Sequence, residues 1–411
     1  MALTLDLMKA RDMAENMDAV SIRDPMGGAN QSGIRDHNER LVLSLIQRHG
    51  GLPSADIARR SNLSAQTVSI IIRALEKDGL LVRGEPIRGK VGKPSTPMAL
   101  NPDGILSLGL NIGRKSAELV LIDVTGTTRA HVKRTYPYPT PAAIRAFLRD
   151  GFASLTDGLP ARQKGNLAGI GVAAPFELWN WLDAVNAPKD EMIQWRDFDI
   201  AAAVGEETGL PANVQNDAIA ACTAEHVFGR GREFADYAYF FIGSFIGGGV
   251  VLNDTVYTGR TGNAGAFGSI PVASEQGTRQ LIRHASLYLL ERRLAEAGLD
   301  PAAIWKPDLD WAEFGAPLDD WIDHTARHLA IGIVAVASVI DFERILVDAN
   351  CPPAVRSAIV ERTREAIRDI DTQGIEEPVV IEASVGRNAR AIGAAALPII
   401  DRYLLSQPRF G

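Results

Sequence analysis

The chain is 411 residues long, 46% hydrophobic and 23% charged, with a formal net charge of −7. That length calls for two or three domains, and the composition is that of a globular protein with ample core. No run approaches the roughly 18–20 uninterrupted apolar residues of a membrane span, and the only cysteines, Cys222 and Cys351, make no disulfide framework.

Residues 1–33 are methionine-rich, then glycine-rich and polar, and read as a flexible arm. Asp6, Lys9, Arg11, Asp12 and Glu15 are scattered through its start, so no signal peptide is predicted and a cytoplasmic protein is expected. Arg40–Arg48 predicts a helix with Leu41, Leu45 and Ile46 turned to a small core. Ser54–Ser61 is a second, short amphipathic helix, and Asn62-Leu63 is a turn. Ser64 is then a good N-cap, because its hydroxyl can accept from an orphan N–H of the next helix. From there Val68, Ile71, Ile72 and Leu75 fall at i, i+3, i+4 and i+7, which makes one buried stripe. The opposite face offers Gln66, Ser69, Ile70 and Arg73, an amide, a guanidinium fork and an apolar contact suited to base edges in a major groove.

Gly79 ends this helix as a C′ glycine. Leu80–Arg83 and Met98–Leu100 read as two strands joined by a Gly/Pro loop holding Arg88, Lys90 and Lys93. Residues 34–101 are therefore predicted to be a winged helix-turn-helix, with double-stranded operator DNA as its partner. Its candidate contacts are Ser64, Gln66, Thr67, Ser69, Ile70 and Arg73 on the helix, and Arg88, Lys90 and Lys93 on the wing. Charge agrees. From Arg35 to Ser95 there are 11 Lys/Arg against 6 Asp/Glu, a net +5, which leaves −12 for the rest of the chain. A basic module on an acidic body confines DNA contact to the head.

After the wing the pattern becomes α/β. Ile105–Gly113, Ala117–Asp123 and Thr128–Tyr136 predict an antiparallel meander, followed by a helix over Pro141–Leu155 and an apolar strand over Leu167–Ala174. Ile200–Thr208 is helical, Ala212–Gln215 a short strand and Ala218–Phe228 a helix. A second lobe is predicted from residue 229, giving lobes 102–228 and 229–411. Its strands are Tyr237–Gly243, Val250–Leu252 and Thr255–Tyr257, with Asn253-Asp254 as a hairpin turn. Gln280–Ala297 and Leu318–Ile340 predict long helices, Ile345–Asp348 and Pro378–Ala383 buried strands, and Ala389–Leu404 a closing helix that can pack back on the first lobe. Two such halves imply a cleft between them, where ligands bind.

The order of motifs resembles the ROK family of bacterial sugar-responsive repressors and sugar kinases, from about Gly33 onward. The resemblance rests on Gly92-Lys-Pro-Ser-Thr-Pro97, Leu110-Asn-Ile-Gly113, Asn216-Asp217-Ala218, Glu225-His-Val-Phe-Gly229, the glycine-rich run Gly243–Gly268, and Gly393-Ala-Ala-Ala-Leu-Pro398. It implies a two-lobed actin-like (ribonuclease H-like) ATPase fold behind the winged helix-turn-helix, and a homodimer or homotetramer. It also gives a standard against which the site positions are judged. ROK kinases carry Asp-x-Gly-x-Thr for phosphate; here Asn111 and Lys115 replace the acid and the threonine. The phosphate loop carries Phe245 between Gly243 and Gly247. The family's Gly-Glu-Ile-Gly-His, whose Glu and His bind sugar, reads Gly265-Ala266-Phe267-Gly268-Ser269. The zinc cysteines expected after it are missing from Pro271–Leu281, so no metal and no cofactor is predicted, and Phe267 and Ile270 are the candidates to pack that loop instead.

Asp217 matches the kinase base, but without a phosphate site no catalytic residue is predicted. Asn216, Asp217, Gly265, Ala266 and Ser269 are the candidate contacts for a small carbohydrate-like effector. Phe176, Trp179, Trp181 and Trp195 can stack on a ring or pack the lobe. The expected protein is a transcriptional regulator, a repressor by resemblance; the competing expectation is a sugar kinase with an appended DNA-binding head.

Overall fold

The computed structural model describes residues 31–86, 96–175, 178–180, 187–274, 277–306 and 309–405. The chain divides into two compact units, residues 1–38 and 39–411. Helix α1 (Gln31–His49) begins in the first and ends in the second.

The head continues with β1 (Leu52–Pro53), α2 (Ser54–Ser61), α3 (Ala65–Lys77), β2 (Leu81–Arg83) and β3 (Pro97–Leu100), and its sheet runs β1-β3-β2. Asn62 takes a left-handed φ of +56°, which closes α2 and lets the chain turn into α3. Val68, Ile71, Ile72 and Leu75 are buried on one side of α3, each stabilising by about 1.5–3 kcal/mol relative to exposure. Their core does not stop at the head. Leu45, Ile57, Ile71 and Leu100 belong to one continuous apolar cluster with Ile105, Val120, Ile122, Ala395 and Ile399 of the body.

The body holds two five-stranded sheets. The first has β4 (Leu106–Ile112), β5 (Ser116–Asp123), β6 (Thr128–Thr135), β7 (Leu167–Ala174) and β8 (Ala212–Asn216), in the order β6-β5-β4-β7-β8. The second has β9 (Tyr237–Ile242), β10 (Ile246–Leu252) and β11 (Thr255–Tyr257). A small hairpin of β12 (Pro271–Val272) and β13 (Arg279–Gln280) intervenes, and β14 (Arg344–Ala349) and β15 (Val380–Glu382) complete the order β11-β10-β9-β14-β15. In both sheets the first three strands are antiparallel and the last two parallel, so the same 3-2-1-4-5 topology occurs twice.

The helices of the body are α4 (Pro141–Thr156), α5 (Ile200–Thr208), α6 (Asp217–Phe228), α7 (Leu287–Glu296), α8 (Ala316–Ala337), α9 (Pro353–Arg368) and α10 (Ala389–Tyr403). Helix α6 follows the first sheet yet packs on β10 of the second. Helix α10 follows the second sheet yet packs on β4 and β7 of the first, and the two helices pack on each other. Small residues permit this crossing. A Cβ on Gly109, Gly171 or Gly393 would overlap the backbone carbonyls of Ala391, Ala394 and Ala220 respectively.

The helix expected over Gln280–Ala297 is shorter. Arg279–Gln280 is strand, Leu281–Arg283 a single 3-10 turn, and α7 starts at Leu287. Ser286 is extended, and its hydroxyl accepts from Ile246 N–H (3.0 Å) and donates to the Ile282 carbonyl (2.8 Å), which tethers the chain to β10. The strand expected over Pro378–Ala383 is confined to Val380–Glu382 at the sheet edge, with Val379 half exposed. No helix among the described residues is long and apolar enough to cross a membrane.

Candidate functional site

The head presents an exposed face on α3. The Ser64 hydroxyl accepts from Thr67 N–H at 3.1 Å and bonds the Thr67 hydroxyl at 2.9 Å, fixing the first turn of α3. Gln66 and Arg73 are exposed, Thr67 and Ser69 partly so. Ile70 is 60% exposed, a large apolar side chain held in water on the face away from the core. Arg73 makes no ion pair among the described residues, while nearby Arg83 is tied to Glu76 at 2.8 Å. Arg88, Lys90 and Lys93 lie outside the described residues.

A cavity of about 220 Å³ opens between the two sheets. It exceeds the roughly 150 Å³ that accommodates a benzene ring in a protein core, and so suits a single sugar ring. Asn216, Asp217, Gly265, Ala266 and Ser269 all line it, brought together from the β8–α6 junction and the loop before β12. Asn216 caps α6, its side-chain oxygen accepting from Ala218 N–H (3.0 Å) and Ile219 N–H (3.2 Å). Gly265 has φ +74°, and a Cβ there would press on the backbone of Gly249 at 2.6 Å, so the loop lies against β10 as only glycine allows.

Other lining groups were not singled out in the sequence. Arg390 Nη1 lies 3.3 Å from Asp217 Oδ2, and its guanidinium lies 5.3 Å from the centre of the Phe241 ring. The Asp217 carboxylate is thus ion-paired. Buried Arg114 pairs with Glu291, which also accepts from Trp305 Nε1 at 2.6 Å. Asn263 contributes a further polar side chain. Arg390 stands two residues into a helix that reads only as a packing element, and Arg114 falls on an unspecified position of the phosphate motif; neither position betrays its partner in the sequence.

Of the positions that distinguish the chain from kinases, Asn111 is buried on β4 with its side-chain oxygen unbonded among the described residues. Phe245 reaches into the cavity and leans on Tyr288, ring centres 5.4 Å apart. Phe267 is buried and stacks on Phe240 at 4.4 Å, and Ile270 packs on the same core. Trp195 is buried in the first lobe, donating to the Pro139 carbonyl (3.0 Å), and Trp179 packs on that same lobe's core. Neither lines the cavity; Phe176 and Trp181 lie outside the described residues.

The head is fastened to the body by α1. Arg40 Nε donates to the Leu404 carbonyl at 2.8 Å, and Leu405 N–H donates to the Ser44 hydroxyl at 2.9 Å. Gln47 donates to the Val227 carbonyl at the end of α6. Arg48 pairs with Asp254 in the turn between β10 and β11 and donates to the Arg232 carbonyl at 2.9 Å. The half-buried His226 ring meets the Asp254 carbonyl at 3.1 Å, and desolvation lowers its pKa.

Residues 107–284 match the ROK family, and residues 35–82 match the winged helix-turn-helix DNA-binding family. The chain carries a ROK family domain behind a winged helix-turn-helix head. It is 25% identical to the xylose repressor of Bacillus subtilis (strain 168) over 389 residues, covering 92% of this chain and 98% of that one. A ROK family transcriptional regulator, a homolog of the Escherichia coli MLC protein, superposes with a TM-score of 0.64 at 20% identity, over 92% of this chain and 100% of that one. The ROK family glucokinase of Streptomyces griseus, solved with glucose and AMPPNP, superposes with a TM-score of 0.57 at 22% identity, over 71% of this chain and 98% of that one. At these identities the two structural likenesses speak to fold alone, and the repressor and kinase branches share it.

Proposed function

We propose that this ROK protein is a transcriptional regulator, a repressor in its ligand-free state, that binds operator DNA as a homo-oligomer and is released by a sugar, polyol or derivative. The reading is supported by the xylose repressor's similarity along nearly the whole chain and by the exposed face of α3. The observation that carries it is the physical link between cleft and head. Strand β10 lines the cleft with Ile246, Gly247 and Gly248, and ends in the turn whose Asp254 holds Arg48 of α1. Asn253 and Asp254 both have positive φ, so the turn is tight.

A ligand that fills the cleft moves β10 against α6. Helix α1 bonds to both, through Arg48 to the β10–β11 turn and through Gln47 to α6. A change in their separation re-aims the head, and two heads on half-sites a helical turn or a multiple apart tolerate little mis-spacing. Such coupling needs only the usual 1–3 kcal/mol, roughly 5- to 150-fold in operator affinity.

The kinase reading is disfavoured by the pairing of Asp217 with Arg390 and by Asn111, Lys115, Phe245, Ala266 and Ser269. An ATP-dependent phosphorylation assay across hexoses and pentoses tests it. Absence of turnover is expected; turnover abolished by Asp217→Asn would replace the regulator reading with the kinase.

A further inference from the structure

A second pocket, of about 500 Å³, lies in the second lobe between the Leu281–Ser286 turn, α7 and α8, and shares no lining residue with the cleft. Its wall carries Arg283, Arg292, Arg293 and Arg327, and among the described residues no carboxylate lines it. Arg292 shares Glu296 at 3.6 Å; the other three arginines make no ion pair among the described residues. Three histidines form the floor. His284 Nδ1 and His324 Nε2 are 3.1 Å apart, and His328 stacks on His284 with ring centres 4.0 Å apart at 3°. His284 is buried and its Nε2 has no hydrogen-bond partner among the described residues. Positive charge is thus concentrated in a concave site on a chain whose net charge is −7, a field that attracts anions.

We propose that this pocket binds a small phosphate-bearing anion, with the arginine forks gripping the phosphate oxygens and the histidine floor donating to them. Guanidinium geometry matches phosphate in a way a point charge does not, and neutral His284 can turn its unbonded ring nitrogen outward as an N–H donor. A cation is the obvious rival, because ring nitrogens of the three histidines lie within 4.8 Å of one another. Two features oppose it. Parallel stacked imidazoles do not aim their in-plane lone pairs at one point, as tetrahedral coordination demands. Four arginines would also line the site of the ion, with no acidic ligand among its described lining residues to offset them. The pocket stands apart from the regulator reading, although the two sites share a turn: Ile282 faces the cleft while Arg283 and His284 face the pocket.

Isothermal titration of the full-length protein at constant ionic strength, with inorganic phosphate, pyrophosphate, glycerol 3-phosphate and zinc in separate arms, tests the proposal. Saturable binding of at least one phosphate compound is expected, and the arm that binds tightest separates free from esterified phosphate. Arg293→Gln and Arg327→Gln should each weaken it about tenfold or more, the loss typical of one charge-assisted bond. Arg134→Gln, in the first lobe, should leave it unchanged. Should Arg293→Gln unfold the protein, the exposed Arg283→Gln serves in its place. Saturable zinc binding without phosphate binding overturns the proposal, and so does phosphate binding that survives all the pocket arginine variants. No saturable phosphate binding at millimolar concentration overturns it too. Operator binding is measured in parallel, so that loss of one activity is read independently of the other.

Discussion

On α3, the cap and the four buried apolar residues set which way the helix faces, and that leaves Ile70 and Arg73 directed at solvent. Arg73→Ala should cost about 1–3 kcal/mol of operator affinity and relax base preference at one position. Lys90→Ala or Lys93→Ala, at positions the sequence assigns to the wing, should weaken binding to all duplexes alike and lower the salt slope by about one. Affinity measured against a duplex library at several salt concentrations checks both; equal loss of specificity from all three variants would contradict the division of labour. The histidines of the second pocket make a separate prediction. His284 and His324 are each held down to about 4, first by burial and then by neighbouring charge, His328 in both cases and Arg293 and Arg327 also for His324. Arg283 and Arg292 face them too. Their folded pKa values lie below the unfolded value of about 6.5, so an unfolded chain binds protons first as pH falls. The stability they contribute is present above about pH 6.5 and is lost as pH falls toward about 4. Thermal unfolding across that window in phosphate-free buffer should show the decline, and His324→Gln should flatten it.

At the scale of elements, the crossing of α6 and α10 depends on the absence of side chains. Gly171→Ala or Gly393→Ala forces a methyl group into a backbone carbonyl on a well-packed face. Each should destabilise by about 1–3 kcal/mol or more, seen as a lower midpoint in urea. Strand and helix periods made most elements readable from the sequence, down to the Ser64 cap and the Asn253-Asp254 turn. The shortened helix has a tertiary cause. Gln280–Ala297 has a helical pattern, but Ser286 spends its hydroxyl on Ile246 and Ile282, partners that only the folded chain brings near. The cleft was legible in part, because Asn216, Asp217 and the Gly265–Ser269 loop carry motif-like spacing. Arg390 and Arg114 were not, since their meaning lies in Asp217 and Glu291, 173 and 177 residues away along the chain. The histidine pocket was invisible for the same reason: His324 and His328 read as one helix face until His284 is placed beside them.

For the molecule as a whole, the head is no appendage on a tether. Its core runs on into the first lobe, and α1 bonds to α6, to α10 and to the β10–β11 turn. The central claim is that this attachment turns occupancy of the cleft into a change in DNA binding. It is tested by fluorescence anisotropy with a duplex selected from a random library by the full-length protein, titrated with and without saturating xylose, glucose, N-acetylglucosamine or xylitol, in the native chain and in Asp254→Ala. At least one of these compounds should weaken duplex binding of the native chain by roughly 5- to 150-fold. Asp254→Ala should bind the same duplex and the same compound but lose most of that response. A response undiminished in Asp254→Ala, or duplex binding indifferent to a compound that stabilises the protein, would contradict it.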